Sequence, residues 1–183
     1  MFEFITDIIL RYRFKKKLKN LKNQSKQSIK AFKSMAIIVP QEFVVSNKVF
    51  MDLSDELNIS INKITVVVYS KKKKIKVNSD FKNQIFCCKK QLGISGNFPD
   101  EMIPFFEKRF DLLVNYFNEK DIFPELISLN CKSKLRIGFY KANHKINDII
   151  LVDKKKNKFE DIKFHTFVNS SRFINNIDKY YQY

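Results

Sequence analysis

Four stretches of this chain are apolar at most of their positions: residues 35–39 (MAIIV), 64–69 (ITVVVY), 110–117 (FDLLVNYF) and 135–140 (LRIGFY). A strand with one face in water alternates apolar and polar side chains, whereas a strand covered on both faces reads as a nearly continuous apolar run. Between these runs the spacing turns helical. Asn47 is placed to cap a helix that carries Val49, Leu53 and Leu57. Residues 121–132 form another helical segment, with Pro124 in its first turn where proline is tolerated. Residues 159–181 form a third, through Phe159, Ile162, Phe167, Ile174, Ile177 and Tyr181. Two shorter runs, 84–88 and 148–152, add candidate strands, and residues 92–100, with Gly93, Gly96 and Pro99, read as a loop. Strands alternating with helices predict an α/β fold over residues 34–183: a single, mostly parallel, Rossmann-like sheet with helices on both faces.

The first 33 residues read differently. Residues 3–33 hold no glycine and no proline, so they predict one long helix, with Ile5, Ile8, Ile9 and Tyr12 on one stripe. Phe14, Leu18, Leu21, Ile29 and Phe32 form a second stripe. From residue 11 to residue 33 there are ten basic residues and no acidic one: Arg11, Arg13, Lys15, Lys16, Lys17, Lys19, Lys22, Lys26, Lys30 and Lys33. Like charges three and four apart weaken a helix, so this density points to an anion that neutralises it. The whole chain carries a net charge of +16, which singles out polyanions as partners. With 30 lysines and 5 arginines, it suits phosphate contact better than the reading of base edges. A second basic run, Lys71, Lys72, Lys73 and Lys74, follows the second predicted strand. The division expected is therefore a basic helical arm, 1–33, and a domain, 34–183, that folds without it.

The motifs of the common catalytic and cofactor sites are missing. No GxGxxG follows the first predicted strand, and no Walker lysine loop occurs; Gly93-Ile-Ser-Gly96 reads as an ordinary turn. His144 and His165 are far apart in the chain, which does not suit a metal site. Asp111 and Asp148 stand near the starts of strands, the wrong end for ligand contact in such sheets, and read as loop-ordering groups. Cys87, Cys88 and Cys131, odd in number and without a CxxC pair, read as buried free thiols in a reducing cytoplasm. The apolar run 2–10 contains Glu3 and Asp7 and is followed by positive charge, so no secretory leader is expected. The expectation is no catalytic, cofactor or metal site, and no small-molecule substrate.

The segments FDLLVNYF (110–117), LRIGFY (135–140) and NDIIL (147–151), with the glycine-containing LGISG (92–96) ahead of them, resemble an uncharacterised domain family of Bacteroidota. That resemblance covers most of the chain and implies a basic helix followed by an α/β domain; it brings no catalytic residue with it. Together these readings lead to a non-enzymatic RNA-binding accessory protein, cytoplasmic and ribosome-associated, that docks on ribosomal RNA or ribosomal proteins through its lysine-rich helix. Two alternatives stand beside it. One is a peripheral protein held on an acidic membrane surface by the amphipathic segment around Ile5, Ile8 and Ile9. The other is a small nucleotide-binding enzyme with an unrecognised site.

Overall fold

The computed structural model describes residues 2–22, 32–43, 47–71, 81–93, 95–117, 121–139 and 142–151, and side chains from residue 6 onward, Lys22 apart. The apolar runs become strands β1 (Met35–Pro40), β2 (Ile64–Ser70), β4 (Arg109–Asn115) and β5 (Lys132–Phe139). The shorter runs become β3 (Gln84–Cys88) and β6 (Ile149–Leu151). All six join in one sheet of order β3-β2-β1-β4-β5-β6, and every neighbouring pair is parallel. The order reverses between β1 and β4, the arrangement of doubly wound α/β folds. The predicted fold class is the one observed.

Strands β1, β2 and β4 divide their side chains between two apolar layers, as a period of two requires. Met35, Ile37 and Val39 of β1 face one layer with Phe50, Leu53 and Leu57 of helix α2 (Asn47–Leu57). Ala36 and Ile38 face the other, with Phe105 of helix α3 (Ile103–Glu107) and Phe123 and Ile127 of helix α4 (Ile122–Asn130). α2 stops at Asn58, whose φ of 51° turns the chain out of the helix. α4 starts where Asp121 accepts a hydrogen bond from the Phe123 amide. α3 was not foreseen: at five residues, with Pro104 in its first turn, it is too short to leave a period.

The first helix, α1, runs Phe2–Lys22. The long helix predicted to residue 33 ends earlier than that; residues 23–31 lie outside the described ones, and 32–34 are irregular. The reason lies in the approach to the sheet. The Lys33 amide and the Ser34 hydroxyl both donate to Asp111 (2.8 and 3.3 Å), while the Ser34 carbonyl accepts from the amides of Asp111 and Leu112. These bonds commit the backbone to entering the sheet, and a helix would leave them unmade. Phe32 accordingly packs on the α2 layer, not on the layer that takes Phe14.

α1 lies beside α4 on the α3–α4 layer. The side it turns inward is Leu10, 1% exposed, followed by the partly buried Phe14, Leu18 and Leu21. Of the first predicted stripe, Ile8 and Tyr12 are 52% and 68% exposed. Residues 8, 9 and 10 are all apolar and stand on three sides of the helix, so periodicity alone could not choose among them. The predicted C-terminal helix, 159–181, and His165 lie outside the described residues.

Candidate functional site

In doubly wound sheets ligands favour the crevice beyond the carboxyl ends of the strands where the order reverses. Here that position falls between β1 and β4. The residues after β1 are Gln41, Glu42 and Phe43, none of which can approach a phosphate as glycine does. Phe43 instead sets its ring against Tyr116, just after β4, at 5.0 Å between centroids. Tyr116 in turn meets Phe139 at 5.0 Å.

Beside this aromatic stack runs a buried amide chain. Asn115, fully buried, donates to Asn147 at 2.7 Å, and Asn147 donates to the Asn143 carbonyl at 2.9 Å. Asn143 then donates to the Glu125 carboxylate at 2.9 Å. Gly138 makes this possible. A Cβ there would lie 2.6 Å from the Ala142 Cβ and 2.8 Å from Asn147, so only glycine lets residues 142–147 fold back over β5. These bonds tie residues 142–147 to β4 and α4, while the buried Asn115 Oδ1 has no hydrogen-bond partner among the described residues.

The acidic residues weighed in the sequence are structural as well. Asp111 holds the Lys33 amide and pairs with Lys134 at 2.6 Å. Burial raises its pKa, but the bonds from Lys134, Lys33 and Ser34 outweigh that and hold the carboxyl below its usual range. Asp148 accepts from the Arg136 amide at 2.8 Å. Cys87, Cys88 and Cys131 are buried and unpaired. Burial pushes the Cys87 thiol up to about 12 and raises that of Cys131, whose Sγ donates to the Ile127 carbonyl. His144 is exposed in a turn. Among the described residues no three His, Cys, Asp or Glu side chains are grouped to hold a metal ion, and no helix is long and apolar enough to cross a membrane.

The chemistry that remains lies on α1. Arg11, Lys15, Lys16, Lys17 and Lys19 are exposed. α1 contains no carboxylate after Asp7, which is itself paired with Lys89 at 2.8 Å. Arg13 bonds to the loop before α3, donating to the Gly96 carbonyl at 2.9 Å and to Asn97 Oδ1 at 2.6 Å. That loop touches α1 because of Gly96. Its φ is +72°, and a Cβ there would stand 3.2 Å from side-chain carbons of both Ile9 and Leu10. The glycine pair read as a turn is one, closed by Gly96 N–H donating to the Gly93 carbonyl at 2.7 Å, and its further task is to seat the basic helix.

Between α1, this loop and α4 lies a groove of about 470 Å³. Arg13, Lys16 and Lys17 supply its charge, Ile9, Phe98 and Leu126 its apolar lining. Among the described residues no carboxylate lines it. Burial, together with the charges of Arg13 and Lys16, lowers the pKa of Lys17. Sequence reasoning named the cations of this groove but not Phe98, Leu126 or Asn130 across from them, because residues more than 80 positions apart share no pattern.

Other predicted cations fall elsewhere. Lys71 pairs with Asp121 at 3.0 Å, at the first turn of α4, whereas Asn130, at its last, lines the groove. Lys71 is not among the residues that line the groove. Lys26, Lys30, Lys72, Lys73 and Lys74 lie outside the described residues, the side chain of Lys22 is not described, and Lys33 is exposed beside Asp111.

Neither a search of curated proteins nor one of solved structures finds a match to this chain. The model of a family of unknown function, DUF6913, matches residues 7–167, from the middle of α1 to beyond β6, and the chain belongs to that family.

Proposed function

We propose that this protein binds RNA through the exposed cations of α1, as a non-enzymatic, ribosome-associated accessory protein. The observation that carries the reading is the way α1 is docked. One apolar stripe, beginning at Leu10, fixes the helix to the domain and leaves Arg11, Lys15, Lys16, Lys17 and Lys19 facing water with no carboxylate among them. A rigidly held row of like charges is unfavourable alone and becomes favourable when phosphates replace its counterions.

Binding of this kind depends on salt. Five phosphate contacts give a slope of log K against log salt of roughly −3.5 to −4.5. Changing Lys15, Lys16, Lys17 and Lys19 together to Gln keeps helix propensity and removes most of that slope. It weakens all RNA sequences alike, since phosphate contacts carry no sequence code. Fluorescence anisotropy with labelled RNA at several salt concentrations measures both effects. Affinity that ignores salt and survives the quadruple change refutes the proposal.

A second reading rests on Ile8 and Tyr12, which are exposed on the same helix ahead of the cations. Apolar residues beside lysines also suit an acidic lipid surface. Sedimentation with vesicles containing phosphatidylserine, abolished by Ile8→Asp, together with no salt-dependent RNA binding, selects that reading instead.

A further inference from the structure

We infer that the groove between α1 and α4 takes one unstacked nucleotide of a single-stranded RNA, its base on the apolar lining and its phosphate on Lys16 and Lys17. This rests on the RNA-binding reading above and adds to it a preference for single strands. Three observations converge on it.

The first is the mixture of chemistries. A solvated basic face needs no hollow, and a duplex offers a protein mainly phosphates and sugars, with its bases stacked out of reach. Here cations and apolar side chains share one groove: Ile9, Phe98 and Leu126 line what Arg13, Lys16 and Lys17 surround. A ligand that satisfies both must carry a flat apolar body and a negative group a few ångströms away. A nucleotide released from its stack has that form. The volume of about 470 Å³ lies within the span of roughly 300–1,000 Å³ common to small-ligand pockets.

The second is the charge balance. Arg13 is committed to the Gly96 carbonyl and Asn97, which fixes its guanidinium beside Lys17. The Lys17 ammonium is disfavoured by burial and by Arg13 and Lys16, and no carboxylate among the lining residues offsets it. An anion placed there relieves the repulsion. The third is Tyr12, which also lines the groove and is 68% exposed. An aromatic ring left in water at the edge of such a site offers the next base a surface to stack on.

The test uses the full chain and two labelled probes, single-stranded (A)12 and the (A)12·(U)12 duplex, followed by anisotropy. Ser95 is exposed and lines the groove, so Ser95→Trp fills the hollow without removing charge. The expected result is single-strand affinity at least tenfold above that for duplex, lost in Ser95→Trp, with duplex affinity unchanged within twofold. If that variant melts abnormally, Asn130→Trp fills the same space from α4 and decides the point. Equal affinity for both probes, unchanged by the filled groove, overturns the nucleotide site and leaves the RNA-binding reading standing. Absence of salt-dependent binding to either probe overturns both.

Discussion

The carboxyl edge of the sheet and the α1–α4 side of the molecule present opposite solutions to the same problem of placing polar groups in a folded chain. At the carboxyl edge Asn115, Asn147, Asn143 and Glu125 are bonded to one another, and Phe43, Tyr116 and Phe139 pack together where this topology usually admits a ligand. On the α1–α4 side Lys16 and Lys17 line an open groove with no acid among the described lining residues. One region has bonded most of its groups to one another, the Asn115 Oδ1 apart, and the other holds cations with no acid among the described lining residues. The lesson is that strand order alone is a poor guide to where chemistry lies.

The comparison breaks first if α1 is only loosely attached. Leu10 is 1% exposed, so Leu10→Ala is expected to cost about 2–4 kcal/mol in a chemical-denaturation experiment, the usual range for a buried leucine. A loss below about 0.5 kcal/mol, within the scatter of surface substitutions, shows instead that residues 34–183 stand without the helix, as the sequence alone suggested. Then comes the carboxyl edge. Gly138→Ala pushes a methyl to within 2.6 Å of the Ala142 Cβ, and overpacking of this sort costs about 1–3 kcal/mol. An unchanged melting temperature means that the amide chain is slack and the edge less closed than described.

The smallest effect sharpens the link between the two regions, Asp111, which ties the segment between α1 and β1 to β4. Asp111→Asn keeps the shape and removes the charge, at about 1.5 kcal/mol, the low end for hydrogen bonds to an ionised group. The sign with pH follows from its lowered pKa. The folded state favours the carboxylate, so the contribution is whole above the unfolded value near 3.9 and disappears as pH falls through the folded one. The stability gap between wild type and variant is therefore expected to hold from pH 7 to about 5 and to close below about 4. A gap that widens in acid refutes the assignment.

The sheet was legible because burial on both faces writes itself into composition: ITVVVY at 64–69 can hardly be anything but a central strand, and β2 is buried at every position. Asp111 was legible as a loop-ordering group from its place at the start of a strand. The limits of α1 were not, since the bonds that end the helical tendency at Lys33 and Ser34 come from a residue 77 or 78 positions away. Nor was its docked side, because Ile8, Ile9 and Leu10 compete on three sides and only the shape of the α4 layer chooses Leu10. The basic run was the plainest feature of the sequence. What surrounds it, Gly96 at φ +72° and Phe98 across the groove, is a product of packing and leaves no trace in spacing.

The three cysteines have a practical corollary. Cys87 packs in the layer that α1 helps to cover, and Cys131 caps the end of α4 with its thiol on the Ile127 carbonyl. A thiol shut in this way meets an alkylating reagent only when its cover lifts, so the rate of modification counts local openings. Cys87 and Cys131 thus serve as native clocks for the opening of the layer that holds them both, read by mass spectrometry on the unaltered chain. A ligand that bridges α1 and α4 slows both clocks together.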